Sequence, residues 1–75
     1  MLIKVLGSGC KKCKKLYQNV VLATNELGIE AEVVKETNFE EIAKYNVMQT
    51  PALVVNEVVI GYGKVLTKEE IKELL

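Results

Sequence analysis

The chain has no histidine and no tryptophan, only two cysteines, one proline and one phenylalanine, and no excess of either charge, its 10 Lys and Arg balancing its 10 Asp and Glu over 75 residues. Each shortage excludes something. Without His, the usual general base and the commonest metal ligand are missing. With the basic residues offset by acids elsewhere, there is no nucleic-acid footprint, and no nucleic-acid partner is expected. No apolar stretch approaches the roughly 20 residues that span a bilayer. The opening run Met1 to Leu6, with its single Lys4, lacks the long apolar region of a secretory signal. A soluble cytoplasmic protein with no membrane partner is the expectation. Repeats, low-complexity segments and internal linkers are absent from the sequence. The length suits one domain, residues 1–75, near the lower limit at which a single core suffices without staples. The apolar share of 49%, dominated by Val, Leu and Ile, makes that core feasible.

Both cysteines lie in one stretch, Gly7-Ser8-Gly9-Cys10-Lys11-Lys12-Cys13, between an apolar run and a long segment of helical period. This reads as strand, loop and helix, with Cys10 at or near the first helical residue and Cys13 one turn inside. A helix N-terminus carries free N–H groups and partial positive charge, which favour an anion such as a thiolate and lower the pKa of Cys10 toward neutrality. Residues three apart on a helix have α-carbons roughly 5 Å apart, inside the window a disulfide accepts. The loop such a bond closes is too short for a structural staple and better suited to reversible chemistry. Lys11, Lys12, Lys14 and Lys15 put cations where the helix dipole disfavours them. They form either an electropositive collar, in which Lys11 and Lys12 help tune the Cys10 thiol, or simply a solvated face.

The rest of the chain alternates strands and helices. Met1 to Leu6 reads as a strand covered on both faces. Cys13, Leu16, Tyr17, Val20, Ala23, Thr24 and Leu27 make the buried stripe of the first helix, which Gly28 ends as a left-handed cap. Ile29, Ala31 and Val33 alternate with charged residues as a half-solvated edge strand. Asn38, with Glu41 three residues on, opens a short helix carrying Phe39, Ile42 and Ala43, which Asn46 can close. Pro51 stands at the first residue of the apolar strand Ala52 to Val55, the one place where a strand tolerates it. Asn56-Glu57 is a weak hairpin turn, because Glu disfavours left-handed angles. Val58 to Ile60 follows as a strand that Gly61-Tyr62-Gly63 breaks, with Tyr62 expected to pack. Thr67 and Glu70 form a capping box, Leu66 and Ile71 a hydrophobic staple, and Leu74 and Leu75 continue the last helix. The class is α/β, in the order β-α-β-α-β-β-α, with a right-handed parallel crossover between the first two strands.

This order, with C-x-x-C at the first strand-to-helix turn and Thr50-Pro51 before the third strand, resembles the thioredoxin-like superfamily. The Gly-Ser-Gly-Cys-Lys-Lys-Cys opening, the stretch Thr-Pro-Ala-Leu-Val-Val and the closing Lys-Glu-Glu-Ile-Lys-Glu-Leu-Leu are similar to those of its small redox-active disulfide proteins, glutaredoxin-sized thioredoxins of archaea and bacteria. The resemblance implies a four-stranded mixed sheet in the order 4-3-1-2 with helices on both faces, and a cis Pro51 whose loop lies against the disulfide. It also implies Gln49, Thr50 and Pro51 as the substrate-binding segment, the backbone of Thr50 pairing with an extended substrate chain. The sequence departs from the larger thioredoxins: no Trp precedes Cys10, and no Asp or Glu in the first strand stands behind Cys13. Ile60-Gly61 resembles the Ile-Gly-Gly of glutaredoxins, but Tyr62 replaces the second Gly.

The activity expected is thiol-disulfide exchange, with Cys10 as nucleophile and Cys13 as resolving thiol, the redox-active disulfide serving in place of any cofactor. Expected partners are protein disulfide substrates and an upstream reductase, and the protein is expected to be a monomer. Two other classes use the same features. A Cu(I) or Zn carrier would employ the same thiolates, although two of them leave a tetrahedral zinc site half empty. An interaction module would carry the cysteine pair incidentally.

Overall fold

The computed structural model describes residues 1–7, 9, 11–47 and 49–75; Ser8, Cys10 and Met48 lie outside the described set. The elements are β1 (Leu2–Leu6), α1 (Lys11–Leu27), β2 (Glu32–Glu36), α2 (Phe39–Ala43), β3 (Ala52–Val55), β4 (Val58–Tyr62) and α3 (Lys68–Leu74). The sheet runs β2-β1-β3-β4, which is the expected order read from its other edge. β1 is parallel to β2 and antiparallel to β3, and β3 is antiparallel to β4.

The alternation of side chains across the strands sorts the apolar residues into two layers. On one face Ile3, Val5 and Leu53 meet Leu16, Val20 and Ala23 of α1 and Ile71 of α3. On the other, Leu6, Ala52 and Val54 meet Ile42 of α2. Each fully buried Leu, Ile or Val side chain contributes about 1.5–3 kcal/mol of transfer free energy. That sum is what lets a sheet of such short strands stand without a staple.

Several local readings hold with their mechanism visible. Gly28 adopts φ +67, and the amides of Gly28 and Ile29 bond back to the carbonyls of Asn25 and Thr24, a Schellman closure of α1. The second helix ends earlier than expected, at Ala43 with Lys44 as its cap, and Asn46 instead takes the left-handed angle, φ 58, in the turn that follows, its amide on the carbonyl of Ala43. Thr67 Oγ1 accepts from the Glu70 amide at 3.1 Å, and the Thr67 amide donates to Glu70 Oε1 at 3.2 Å. The two hydrogen bonds complete the capping box. Leu66 and Ile71 are both buried, as a staple requires.

Others are corrected. β2 starts at Glu32, not Ile29, because the Schellman bonds hold residues 28–29 to the end of α1. Leu27 is 39% exposed although it continues the stripe. A helix of 17 residues extends about 25 Å, well past strands of 5 residues that extend about 17 Å, so its last turn overhangs the sheet. Leu74 is 50% exposed for a related reason, since Leu75, one turn beyond Ile71, takes the core position. At α2 the Asn38 side chain accepts from the Glu40 amide. The carboxylate that answers the Asn38 amide is that of Glu36, while Glu41 pairs with Lys44. Gly61 and Tyr62 do not break β4: the strand runs through them, a register shift at Leu53/Val54 absorbing the extra residue.

The Asn56-Glu57 turn is stronger than its residues suggest. Both adopt left-handed angles, φ 48 and φ 70, and Glu57 is held there from outside the turn. Its carboxylate accepts from the Tyr45 hydroxyl at 2.9 Å and lies 3.4 Å from Lys4 Nζ, while Lys4 donates to the same hydroxyl at 2.9 Å. The Tyr45 hydrogen bond raises the Lys4 pKa above the usual lysine value; partial burial opposes this and the Glu57 charge supports it.

Candidate active site: the turn after β1 and the proline loop

Gly7 is the centre of the site. It ends β1 in a buried position, and its amide donates to the carbonyl of Glu36 at 3.0 Å, which ties the turn to the end of β2. It lies hard against the side chain of Cys13: a β-carbon at residue 7 would collide with Cys13 Sγ and stand 3.3 Å from Cys13 Cβ. Only glycine leaves room for the sulfur there. Gly9, at φ +86, turns the chain toward α1 in a conformation that side-chain-bearing residues rarely adopt.

Cys13 belongs to the first turns of α1 and is 5% exposed, on the buried side as the stripe predicts. Cys10, the predicted nucleophile, lies outside the described residues, so its distance from Cys13 does not enter the geometry. Lys11 and Lys12 are solvent-exposed on α1.

The proline loop reaches the same glycine from the other side of the sheet's centre. The Thr50-Pro51 bond is cis, as the resemblance implied, and Pro51 is buried while Gln49 and Thr50 are exposed. Thr50 Cβ stands 3.8 Å from the position of a β-carbon on Gly7, so Thr50 and Cys13 flank one residue. This adjacency follows from topology: β1 and β3 pair with Leu6 opposite Ala52, which sets the turn leaving β1 beside the loop entering β3. The loop is braced from behind by Gly63, whose amide donates to the Pro51 carbonyl at 3.0 Å and whose missing side chain gives Gln49 its place. Tyr62, expected to pack, is 58% exposed and pairs with Ala52, next to Pro51.

Lys35 and Thr37, which the sequence did not single out, complete the surroundings. A small pocket runs from buried Cys13, past Val5, Gly7 and Gly9, to the exposed Lys14, Lys35 and Thr37. Lys35 reaches it because the parallel register sets it beside Val5, and its ammonium sits 4.7 Å from the centroid of the Tyr17 ring. The crossover order carried that signal, since it sets the C-terminal end of β2 next to the turn after β1. Among the described residues no group of three or more Cys, Asp or Glu side chains is placed to hold a metal ion, and no helix is long and apolar enough to cross a membrane.

A sheet of this topology, with a buried cysteine at the first strand-to-helix turn and a cis-proline loop beside it, defines a thioredoxin-type protein. The chain matches the family described as Thioredoxin domain over residues 1–75, and it belongs to that family. Two relatives agree along the whole chain. A protein named thioredoxin from Methanocaldococcus jannaschii is 45% identical over 75 residues, covering 100% of this chain and 86% of the relative. Another thioredoxin, from Methanothermobacter thermautotrophicus, is 37% identical over 75 residues, covering 100% of this chain and 97% of the relative. The chain is a thiol-disulfide oxidoreductase in the general sense of that family.

Proposed function

We propose that the chain exchanges disulfides with protein substrates through Cys10 and Cys13, working as a monomer that an upstream reductase returns to the dithiol state. The observation that carries this reading is the meeting of three parts at Gly7: a buried Cys13, the exposed Thr50 of the proline loop, and the end of β1 that leads into the Cys10 turn.

In this reading the Cys10 thiolate attacks one sulfur of the substrate disulfide. That S–S bond breaks, a Cys10–substrate disulfide forms, and one substrate thiolate leaves. Cys13, as thiolate, then attacks Cys10 Sγ; the Cys10–Cys13 disulfide forms and the second substrate thiolate leaves, so two electrons have passed from protein to substrate. The start of α1 favours the Cys10 anion by about 0.3–1 kcal/mol, and by up to ~2 in a partly buried geometry. Lys11 and Lys12 add to that field. The backbone of Thr50, with Gln49 and Pro51 shaping the loop, receives the substrate chain as an added strand.

Cys13→Ser traps a mixed disulfide with a substrate peptide, and Cys10→Ser loses turnover of a model disulfide. Normal turnover by Cys10→Ser overturns the mechanism. Replacing Lys11 and Lys12 with Gln raises the Cys10 thiol pKa; an unchanged titration removes those lysines from the site.

A further inference from the structure

We infer that Lys11, Lys12, Lys14, Lys15 and Lys35 form one docking surface for acidic polypeptide, so that the preferred substrate is a protein disulfide flanked by Glu or Asp. This rests on the proposed exchange of disulfides and names its substrate class.

The observation that carries it is how the charges are shared out. All the basic residues are lysines and all the acidic ones are glutamates, 10 of each. Half of the lysines are paired: Lys4 with Glu57, Lys44 with Glu41, Lys64 with Glu70, and both Lys68 and Lys72 with Glu26. Among the described residues no carboxylate lies within ion-pair distance of the other half. Those unpaired lysines stand together. Lys11, Lys12, Lys14 and Lys15 are exposed and spring from about 6 Å of the α1 axis. Lys35, exposed on β2, faces the same helix: its ammonium is 4.7 Å from the centroid of the Tyr17 ring, one turn past Lys14. Lys14 and Lys35 also line the pocket that reaches Cys13. The glutamates stand elsewhere. Glu36, paired with Leu6, points to the α2 face, Glu40 and Glu41 belong to α2, and Glu26 lies about 22 Å from Lys11 along α1.

A chain of zero net charge thus carries an uncompensated positive patch beside its buried cysteine. The placement works against the fold, because the opening turns of a helix disfavour cations and like charges three and four residues apart repel. A patch of one sign at the rim of a reacting group matches a partner of the other sign, steering its approach and its orientation. What approaches is a disulfide within a polypeptide, so the matching charges are the carboxylates of residues flanking its cysteines. The α1 lysines arise within one screening length, about 8 Å at physiological salt, and therefore act as a unit that salt weakens.

Three synthetic peptides test this. They share one disulfide-closed loop and differ only in its flanks, which are Glu, Ser or Lys, and reduction of each by the pre-reduced full chain is followed in a single turnover. At about 10 mM ionic strength the Glu-flanked peptide is reduced about ten-fold faster than the Ser-flanked one, and the Lys-flanked peptide is slowest. In about 0.5 M salt the three rates fall within about two-fold of one another. Lys15→Gln combined with Lys35→Gln lowers the Glu-to-Ser rate ratio by about three-fold. That ratio cancels any change in thiol reactivity, which all three peptides share. Lys12→Glu combined with Lys15→Glu makes the Lys-flanked peptide the fastest. Lys72→Gln, which removes a paired charge beside Glu26, leaves the ratio at its wild-type value. Equal low-salt rates for the three peptides overturn the inference, as does a ratio that neither double variant changes. Salt-sensitive binding of a DNA duplex alongside equal peptide rates assigns the patch to nucleic acid and overturns it likewise. Failure of the wild type to reduce any of the peptides overturns the proposed exchange itself, and the inference with it.

Discussion

Gly7 and Cys13 are in direct contact across the start of α1, the backbone of one filling the space beside the sulfur of the other. A methyl group at residue 7 cannot be accommodated unless the helix or the strand moves. Gly7→Ala is expected to cost about 1–3 kcal/mol of stability, the usual penalty for overpacking a filled interior. It also displaces the cysteine, so turnover of a disulfide substrate falls by more than the loss of folded protein explains. Thermal melts and turnover measured on the same preparation separate the two effects.

Glu26, in the last turn of α1, bridges both lysines on one side of α3: Oε2 lies 2.6 Å from Lys68 Nζ and Oε1 lies 3.3 Å from Lys72 Nζ. The Lys68 hydrogen bond holds the Glu26 carboxyl below the usual carboxylate value, partial burial opposing it and Lys72 adding to it. The Lys68 ammonium is in turn raised by its hydrogen bond to Glu26. A carboxyl lowered in the folded state stabilises the fold above its unfolded pKa, and that contribution disappears as pH falls through the folded value. For the raised lysine the contribution is present below the unfolded pKa and disappears as pH rises through the folded one. Glu26→Gln is therefore expected to melt below the wild type across the neutral range, with the two curves converging in acid and again in strong alkali. Added salt narrows the gap at neutral pH.

Thr67 supplies one half of the capping box and does not line the Cys13 pocket. Thr67→Ala is expected to lose about 1 kcal/mol, leaving the Glu70 amide to water. Denaturant midpoints measure the loss, and the turnover of the folded fraction stays at the wild-type value.

Tyr62 is 58% exposed beside the proline loop. Tyr62→Ser is expected to change stability by no more than about 0.5 kcal/mol, as exposed substitutions do. With a disulfide-bearing peptide KM rises, while turnover of a small-molecule disulfide is unaltered. Equal KM values for the peptide with both proteins remove Tyr62 from the substrate surface.

Features written within one turn of chain were legible in the sequence. The Schellman glycine at 28, the Thr67/Glu70 box, the placement of Cys13 on the inner face of α1 and the proline at the head of β3 all depend on neighbours a few residues away. What the sequence hid depends on partners far along the chain. Glu57 adopts a left-handed angle because Lys4 and Tyr45 hold its carboxylate, and nothing around Asn56-Glu57 announces either one. Leu27 and Leu74 fit the apolar stripe by spacing alone, but the layer beneath them ends first. The pairing of Lys35 with Tyr17 requires the crossover to bring β2 alongside α1, so a strand that reads as a solvated edge also contributes to the cysteine pocket.

The pairing of β1 with β3 has a consequence for how the protein is made. β1 is made before β3, yet one of its edges is closed only when residues 52–55 arrive, with the Asn56 side chain then accepting from the Leu2 amide at 2.9 Å. Contacts of such sequence separation form late. A nascent chain that stops short of residue 50 already carries Cys13 but lacks the Thr50-Pro51 loop that stands across Gly7 from it, so the two halves of the candidate site meet only once β3 is made.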